Sequence, residues 1–305
     1  MIVKDVLKPG YPFVEAIASV LPICDEFLLS EGYSADGTYE VVQRLAKLNK
    51  KIKVVRQKWP EKRSITVIGD VTNAIRRKCQ YDYIFSVQAN EIVHEDSLRL
   101  IEALPEICPQ VQTFSFPYVH LYRTYKFSEE FRLRFARNLP HIVATGDAWS
   151  LGTSKDFVIS ETLKSLRNPR KFLRYVSRGI EWTYANSCGN IISRAIYLPK
   201  PVFRYWSLFP LNWFEKSMRH AEMFNIPGFK EAIETLKNHV DDDPSVFFKI
   251  AVQLARKGSL GYNYSDALGV VKIEDHPKLI RDLISDPQVK SYYVRNEVLD
   301  MIKGL

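Results

Sequence analysis

The first half of the chain alternates between short apolar runs and stretches in which apolar residues recur with helical spacing. Strand-like runs fall at residues 25–30, 51–56, 81–87 and 111–119, and helical spacing falls at residues 12–21, 38–48, 66–78 and 95–104. Strands that alternate with helices predict β-α-β units and a largely parallel sheet. Ligands of such sheets bind beyond the carboxyl ends of the strands, so the polar segments that follow strands become candidates for a site.

The pattern changes in the second half of the chain. Residues 129–138 alternate like a strand with one exposed face, residues 144–152 are typical of a loop, and residues 191–206 indicate one or two further strands. The last third has helical spacing interrupted by short loops. We therefore predict an α/β domain over residues 1–210 and a helical C-terminal extension over residues 211–305.

Composition narrows the class of protein. The 305 residues are 46% hydrophobic and 26% charged, which is the balance of a globular protein with a buried core. No apolar run approaches the roughly 18 residues needed to span a bilayer. The first residues also lack the apolar stretch of a signal peptide. We expect a soluble, cytoplasmic protein.

The formal net charge of +8 favours anionic partners such as nucleic acid, phosphorylated small molecules or an anionic membrane surface. A solvated basic face is the simpler interpretation of the charge taken alone. No helix-turn-helix, zinc-finger or RNP-like pattern occurs, so we expect no specific nucleic acid binding. The four cysteines and six histidines are dispersed, and neither a zinc site nor a disulfide framework is predicted.

Two polar segments follow predicted strands. The first is EGYSADGT at residues 31–38, in which Asp36 and Gly37 suit the start of a helix. Carboxylates at such a position suit ribose hydroxyls or base N–H groups better than phosphate. The second is QANE at residues 88–91, where many α/β enzymes carry carboxylates that hold a divalent metal. A turn without a ligand is the alternative for both segments.

The first segment resembles a motif of the family 2 glycosyltransferases, which have the GT-A fold. The second strand of that family ends in a motif of the kind V-D-D-G-S-x-D-G-T. Four residues of the motif are kept here, namely Ser34, Asp36, Gly37 and Thr38. Glu31 stands at an acidic position of the motif, whereas Gly32 replaces the aspartate that often contacts the nucleotide base.

Further segments carry the same resemblance over roughly residues 1–215. Asn73 in VTNAIRR is similar to an asparagine of the family, and QANEIVHE resembles the Q-A-D-E-x-x-H-E pattern of a subgroup. RLRFARN and the later TGDA resemble the subgroup's R-x-x-R-N and G-D-A segments. The resemblance implies a GT-A fold, with a mostly parallel sheet flanked by helices.

The activity that the resemblance implies is transfer of a sugar, such as a hexose, from a nucleotide-diphosphate sugar. The acceptor would be a hydroxyl of a glycan, a glycolipid or a protein-linked sugar. The alternative is a non-catalytic module that binds a sugar or nucleotide on the same fold. On this resemblance the donor-binding residues are Glu31, Ser34, Asp36, Asn73, Gln88, Asn90, Glu91 and Arg204.

The family holds a Mg²⁺ or Mn²⁺ ion through a D-x-D motif, which neutralises the departing diphosphate. Residues 88–90 stand at that motif here, and the amides of Gln88 and Asn90 bring no negative charge. Asn90 and Glu91 are the metal ligands that remain, and they would hold a cation only weakly. The family's metal-ligand histidine corresponds to Arg204 in VFRY.

An arginine cannot bind a metal, but it pairs with phosphate in a bidentate geometry. We therefore hypothesise that Arg204 replaces the metal charge, with help from Lys200, Arg134 or Arg137. A weakly bound cation at residues 88–91 is the alternative.

An inverting enzyme also needs a carboxylate that acts as general base. Asp147 in ATGDAWSLG is the first candidate and Glu181 in GIEWTYANS the second. Asp147 fits a turn-forming role equally well. His94 and His120 match positions of the family, and a structural role is the simpler interpretation of both.

The aromatic segment FRYWSLFPLNWF, residues 203–214, has three interpretations. It is part of the core, a stacking platform for the acceptor sugar, or a membrane wedge beside the basic residues 167–178. Aromatic residues at this density are mostly core, which we favour. The third interpretation implies a lipid-linked acceptor and an anionic surface at the inner face of a membrane.

Overall fold

The computed structural model describes residues 1–60, 66–178, 191–214, 216, 234–256, 269–286 and 288–305. Its strands are β1 (Ile2–Val3), β2 (Phe27–Glu31), β3 (Ile52–Arg56), β4 (Tyr83–Phe85), β5 (Glu91–Val93), β6 (Val111–Tyr122), β7 (Tyr125–Arg137), β8 (Ile142–Thr145), β9 (Ser150–Thr153), β10 (Ile191–Ala195), β11 (Val202–Ser207) and β12 (Gly269–Val270). Its helices are α1 (Phe13–Val20), α2 (Thr38–Leu48), α3 (Val67–Arg76), α4 (Leu98–Ile107), α5 (Lys155–Ser165), α6 (Pro169–Arg178), α7 (Pro244–Arg256), α8 (Arg281–Ser285) and α9 (Asn296–Gly304). Short 3₁₀ turns occupy Leu21–Ile23, Glu95–Ser97, Ile273–Asp275 and Lys278–Ile280.

The N-terminal strands form a three-stranded parallel sheet in the order β1-β2-β3. Helix α2 begins after Gly37, whose φ of 91° is readily accessible to glycine. The helix buries Val42 and Leu45 on the side that faces the sheet. Glu40 in its first turn and Lys47 in its last complement the helix dipole. The strands and helices predicted for this part of the sequence are confirmed, and β1 is an addition.

The second sheet has seven strands in the order β12-β7-β6-β11-β5, with β10 also paired to β6 and β4 to β7. Strands β10 and β11 run parallel to β6, whereas β7 runs antiparallel to it. Hairpin β6–β7 turns at Arg123, which has a φ of 50°. The predicted α/β class, with helices flanking the sheets, is confirmed. The second sheet is mixed, because β4, β6 and β12 run antiparallel to β7 and β5 runs antiparallel to β11.

Hairpin β8–β9 and strand β5 are among the elements that the sequence pattern did not indicate. Residues 144–152, predicted as a loop, contain parts of the antiparallel hairpin β8–β9. The hairpin turns through Gly146 and Ala148, which both have positive φ. Strand β5 follows directly after residues 88–90 and pairs antiparallel with β11. Both elements depend on partners distant in sequence, which a local apolar pattern does not report.

The C-terminal residues divide between two hydrophobic clusters. Residues of α8 and α9 share the main core with α1, β2 and α2, and Asn49 Nδ2 donates a hydrogen bond of 2.9 Å to Ile302 O. Residues of α7 instead join a second cluster with Tyr122, Trp206 and Trp213. The domain boundary after residue 210 stays a prediction, and the clusters show that α8 and α9 pack onto the N-terminal part.

The aromatic segment at residues 203–214 is core. Its aromatic side chains are buried, namely Phe203, Tyr205, Trp206, Phe209, Trp213 and Phe214. The core interpretation is therefore confirmed, and this segment presents no wedge to a membrane. Within the described part of the chain, no helix has the length and apolar character required to cross a bilayer.

Candidate functional site

A cleft of about 900 Å³ opens at the carboxyl ends of β1, β2 and β4. Residues that follow these strands line it, including Asp5, Gly32 and Gln88, and α3 forms a wall. The far side is formed by the turn of hairpin β8–β9 and by residues of β11 and the segment after it. This is the sheet edge at which the sequence predicts a site. A smaller cavity of about 510 Å³ contains none of the predicted site residues.

The side chains of the EGYSADGT segment bind the protein itself. Buried Glu31 accepts hydrogen bonds from Ser34 N at 2.6 Å and from Arg56 Nε at 2.9 Å. Burial alone would raise the pKa of Glu31, but these hydrogen bonds outweigh it and lower that pKa. Ser34 Oγ accepts from Asp5 N at 2.9 Å, and Asp36 accepts from Lys8 N at 2.8 Å. These three residues therefore shape the rim of the cleft, while Gly32 lines it.

Asn73 joins α3 to hairpin β8–β9. Its Nδ2 donates to Ala144 O at 2.8 Å, and its Oδ1 accepts from Ala144 N at 2.8 Å. One turn earlier on α3, a Cβ at Gly69 would overlap the carbonyl oxygen of Gly146. The predicted donor-binding residue Asn73 thus fixes the hairpin that carries Asp147.

The QANE segment is held against strand β11. Asn90 Nδ2 donates to Tyr205 O at 3.0 Å, and Tyr205 N donates to Asn90 O at 2.9 Å. Gln88 N donates to Glu91 Oε2 at 3.0 Å. Glu91 lies opposite Arg204 in the β5–β11 register, so the two side chains share one face of the sheet.

Glu91 is fully buried and forms an ion pair with fully buried Arg134. Glu91 Oε1 lies 2.6 Å from Arg134 Nη2, and Arg134 Nη1 donates to Ala148 O at 2.6 Å. Burial opposes ionisation of Glu91, but Arg134 and then Arg204 outweigh it and lower its pKa. Arg134 therefore connects Glu91 to the turn that contains Asp147.

Two buried cations line the cleft. Arg204 Nη2 is 3.4 Å from Gln88 Oε1, and its Nε has no hydrogen-bond partner among the described residues. Lys216 Nζ donates to Trp206 O at 3.0 Å and lies 3.7 Å from the centre of the Trp206 ring. Burial and then the charge of Arg204 hold the pKa of Lys216 well below its usual value. Lys216 was not predicted from the sequence, where its one signal is a lysine inside the apolar stretch that follows β11.

A third arginine, Arg132, lies near Arg134 and Arg204. Arg132 is buried, forms an ion pair with Glu130, and stacks 4.0 Å from the centre of the Trp149 ring. Burial, and after it Arg204, lowers the pKa of Arg132 to about 10. Trp149 follows directly after Ala148, so this stacking holds the far end of the same turn.

Asp147 lies at the turn of hairpin β8–β9, between Gly146 with a φ of 52° and Ala148 with a φ of 49°. Its side chain lines the cleft and is half-buried. No described residue donates a hydrogen bond to its carboxylate. Burial raises the pKa of Asp147, although Arg204 and Lys216 act against it. The cleft thus combines one carboxylate that lacks a hydrogen-bond donor with two cations.

Other candidates from the sequence lie elsewhere. Lys200 Nζ pairs with Asp275 Oδ1 at 2.7 Å, and Arg137 Nε donates to Tyr83 OH at 3.1 Å. His94 caps the turn Glu95–Ser97, since its Nδ1 accepts from Asp96 N at 3.2 Å. Glu181 falls outside the described residues.

His120 makes an interaction within the sheet. Its Nε2 lies 2.5 Å from Glu130 Oε1, and the imidazole is buried. Burial lowers the pKa of His120 to about 4, although Glu130 acts in the other direction. The structural interpretation of His94 and His120 agrees with these contacts. Over the described ranges, no three His, Cys, Asp or Glu side chains lie together as metal ligands.

Comparisons with known proteins give little further information. No family model matches the chain, and no curated protein matches it. One solved structure that matches is the crystal structure of TarS from S. aureus, with 11% sequence identity and a TM-score of 0.35. The match covers 99% of this chain and 54% of that one, so the chain spans about half the length of the structure it matches. Similarity at this level supports no inference about activity.

Proposed function

We propose that the chain is an inverting glycosyltransferase that moves a sugar from a nucleotide-diphosphate sugar to an acceptor hydroxyl. One observation carries the proposal: Asp147 lines the cleft together with Arg204 and Lys216, beyond the carboxyl ends of the strands. A carboxylate that lacks a hydrogen-bond donor suits a general base, and buried cations suit a diphosphate. The resemblance of residues 31–38 and 88–91 to family 2 glycosyltransferases points to the same activity.

The reaction assigns one role to each of these groups. The acceptor oxygen attacks the anomeric carbon on the side opposite the diphosphate, and its proton passes to Asp147. The bond from the anomeric carbon to the diphosphate oxygen breaks, and the electron pair stays on that oxygen. Arg204 and Lys216 stabilise the charge that develops there. The raised pKa of Asp147 makes its carboxylate a stronger base.

We also propose that these side chains take the place of the family's divalent cation. The residues at the metal position do not fit a tightly bound ion, because Gln88 and Asn90 are amides and Glu91 pairs with Arg134. A divalent cation would also lie close to the cations Arg204 and Lys216, which repel it. Bidentate arginine and a lysine ammonium meet the need for positive charge without a metal.

The part of the cleft beside Gly32 is the proposed site of the nucleotide base. Trp59 and Tyr33 line the cleft beside Gly32. A Cβ at Gly32 would lie 2.7 Å from Trp59 Nε1, so the indole occupies the space that a larger residue would take. We propose that an aromatic face holds the base in place of the family's aspartate.

A thermal-shift screen of nucleoside diphosphates and their sugars tests donor binding. We expect stabilisation by at least one of them in EDTA, with no requirement for Mn²⁺. Arg204→Gln and Lys216→Met should each weaken binding about 10- to 100-fold, the effect of one charge-assisted hydrogen bond. Arg137→Gln and Lys200→Met are matched controls, because they remove the same charges at a distance from the cleft. Binding that disappears in EDTA and returns with Mn²⁺ would contradict the metal-free site.

Release of free nucleoside diphosphate in the presence of an acceptor tests the activity. Asp147→Asn should abolish release and leave donor binding intact, because the amide cannot accept the proton. Near-normal release by this variant would remove Asp147 from the role of base. Wild-type protein that binds the donor but never transfers the sugar would support the alternative, a non-catalytic binding module.

A further inference from the structure

Helix α5 has the reverse of the usual surface amphipathicity. Ile159 is 57% exposed, Leu163 60% and Leu166, just past its end, 55%. These residues follow i, i+4, i+7 spacing, so they form one stripe along the helix. The buried residues of α5 are the polar Glu161 and Ser165, on the opposite side. A surface helix normally buries its apolar stripe. We therefore expect a membrane or a partner to cover the exposed stripe of α5.

Basic residues accompany this stripe. Lys155, Arg167 and Arg170 are exposed, and at about 100° per residue Lys155 and Arg167 fall on the two sides of the stripe, with the exposed Asp156 beside Arg167. Residues 166–178 contain five Lys or Arg and no Asp or Glu. Helix α6 contacts α5 and adds Leu173, which is 65% exposed. We call the exposed side chains of residues 155–173 the α5–α6 surface.

We propose that the α5–α6 surface binds an anionic membrane, with its leucines and isoleucine at the acyl boundary and its basic residues on lipid headgroups. An apolar stripe flanked by Lys and Arg is the pattern of a helix that lies in the interface. Charge complementarity selects anionic over neutral lipid, and each basic residue near such a surface is worth about fivefold in partitioning. A nucleic acid would use the basic residues but leave the apolar stripe exposed to water.

The apolar contact with the membrane moves from the aromatic residues 203–214 to α5 and α6, while the surface shares residues 167–173 with the basic segment that the sequence suggested. The aromatic side chains of residues 203–214 are buried, whereas residues 155–173 carry exposed apolar side chains. Membrane binding by this surface is independent of the proposed sugar transfer, because neither α5 nor α6 contributes a residue to the lining of the cleft.

Co-sedimentation with vesicles tests the surface. The full chain should bind vesicles of phosphatidylcholine with phosphatidylglycerol, and should not bind phosphatidylcholine alone. The double variant Ile159→Ser, Leu163→Ser should reduce binding about 10-fold or more, since each buried CH₂ contributes about fourfold. Ile107→Ser is its control, because Ile107 is 61% exposed on α4.

A second pair of variants tests the contribution of the basic residues to membrane binding. Arg167→Gln with Arg170→Gln should weaken binding about 25-fold, whereas Arg44→Gln with Arg77→Gln, the same charge change at exposed sites elsewhere, should not. Circular dichroism and the thermal midpoint confirm that each variant is folded. Absence of binding by the wild type, or undiminished binding by the Ile159 and Leu163 variant, overturns the proposal. Self-association that this variant abolishes, with no vesicle binding, would make the surface a protein interface and also overturn it.

Discussion

The substitution Glu91→Gln tests whether Glu91 is a metal ligand or the counter-ion of Arg134. Glu91 is fully buried, its Oε1 lies 2.6 Å from Arg134 Nη2, and its Oε2 accepts from Gln88 N. Glutamine keeps the volume and one acceptor oxygen but removes the negative charge. The variant therefore leaves Arg134 buried without a carboxylate, close to Arg204 and Arg132, which also act on Glu91.

The expected loss of stability follows from this geometry. Breaking a buried ion pair by removing one partner costs about 3–5 kcal/mol. Glutamine still accepts one hydrogen bond from Arg134, so we expect the lower end, about 3 kcal/mol. For a chain of 305 residues this corresponds to about 5 °C in the thermal midpoint.

Urea denaturation and calorimetry in EDTA measure the effect. In a metal site without its metal, neutralising a carboxylate relieves repulsion, and the variant would be as stable as the wild type or more stable. The counter-ion interpretation predicts the opposite sign. A cycle with Arg134→Met should also show that the double variant loses less than the sum of the single variants. A variant that is stabilised in EDTA and no longer gains stability from Mn²⁺ would refute the reasoning.

Three further predictions address the base, two histidines and the α3 contact. The raised pKa of Asp147 should place the acidic limb of kcat/KM above that of an exposed aspartate in a pH–rate profile; a limb at the usual aspartate pKa would argue against this base. Burial lowers the pKa of His120 and of His276 from 6.5 to about 4, which favours their neutral forms in the folded protein. Each contributes about 3 kcal/mol that is present above pH 6.5 and is lost as the pH falls from 6.5 to 4, so urea midpoints should fall over this window; flat midpoints would contradict it. Gly69→Ala should lower the free energy of unfolding, measured in urea, by about 1–3 kcal/mol and reduce turnover, because its Cβ displaces the turn at Gly146; a variant with wild-type stability would show that the contact yields easily.

The sequence predicts the elements that its local pattern encodes. Apolar runs and helical spacing locate β2, β3, α2 and α3, because each buries one stripe or face whose period is visible in the sequence. The position of the QANE segment at the end of a strand follows from the same pattern. Asp147 was identified from a motif, and the structure places it in the cleft.

The partners of these residues were not predictable from the local pattern. The link from Glu91 through Arg134 to Ala148 joins three parts of the chain through strand register and a left-handed turn. Lys216 reaches the cleft because the segment after β11 folds back over Trp206. A motif also does not reveal what its residues contact. Both the Nδ2 and the Oδ1 of Asn73, for example, form hydrogen bonds with the backbone of Ala144. Each of these contacts joins residues that are distant in sequence, and no periodic pattern in the sequence reports such contacts.

The charges around the cleft favour the proposed diphosphate over a metal ion. Arg134 is paired with Glu91 and Arg132 with Glu130, so these two arginines are neutralised within the protein. Arg204 and Lys216 form no ion pair with any described carboxylate, and each lies in the cleft. Burial is the larger cause of the lowered pKa of Lys216, and the nearby charge of Arg204 lowers it further, as expected for two cations that repel each other. A diphosphate between them converts this repulsion into attraction, whereas a divalent cation adds to it. We therefore propose that this pair of cations selects an anionic ligand for the cleft.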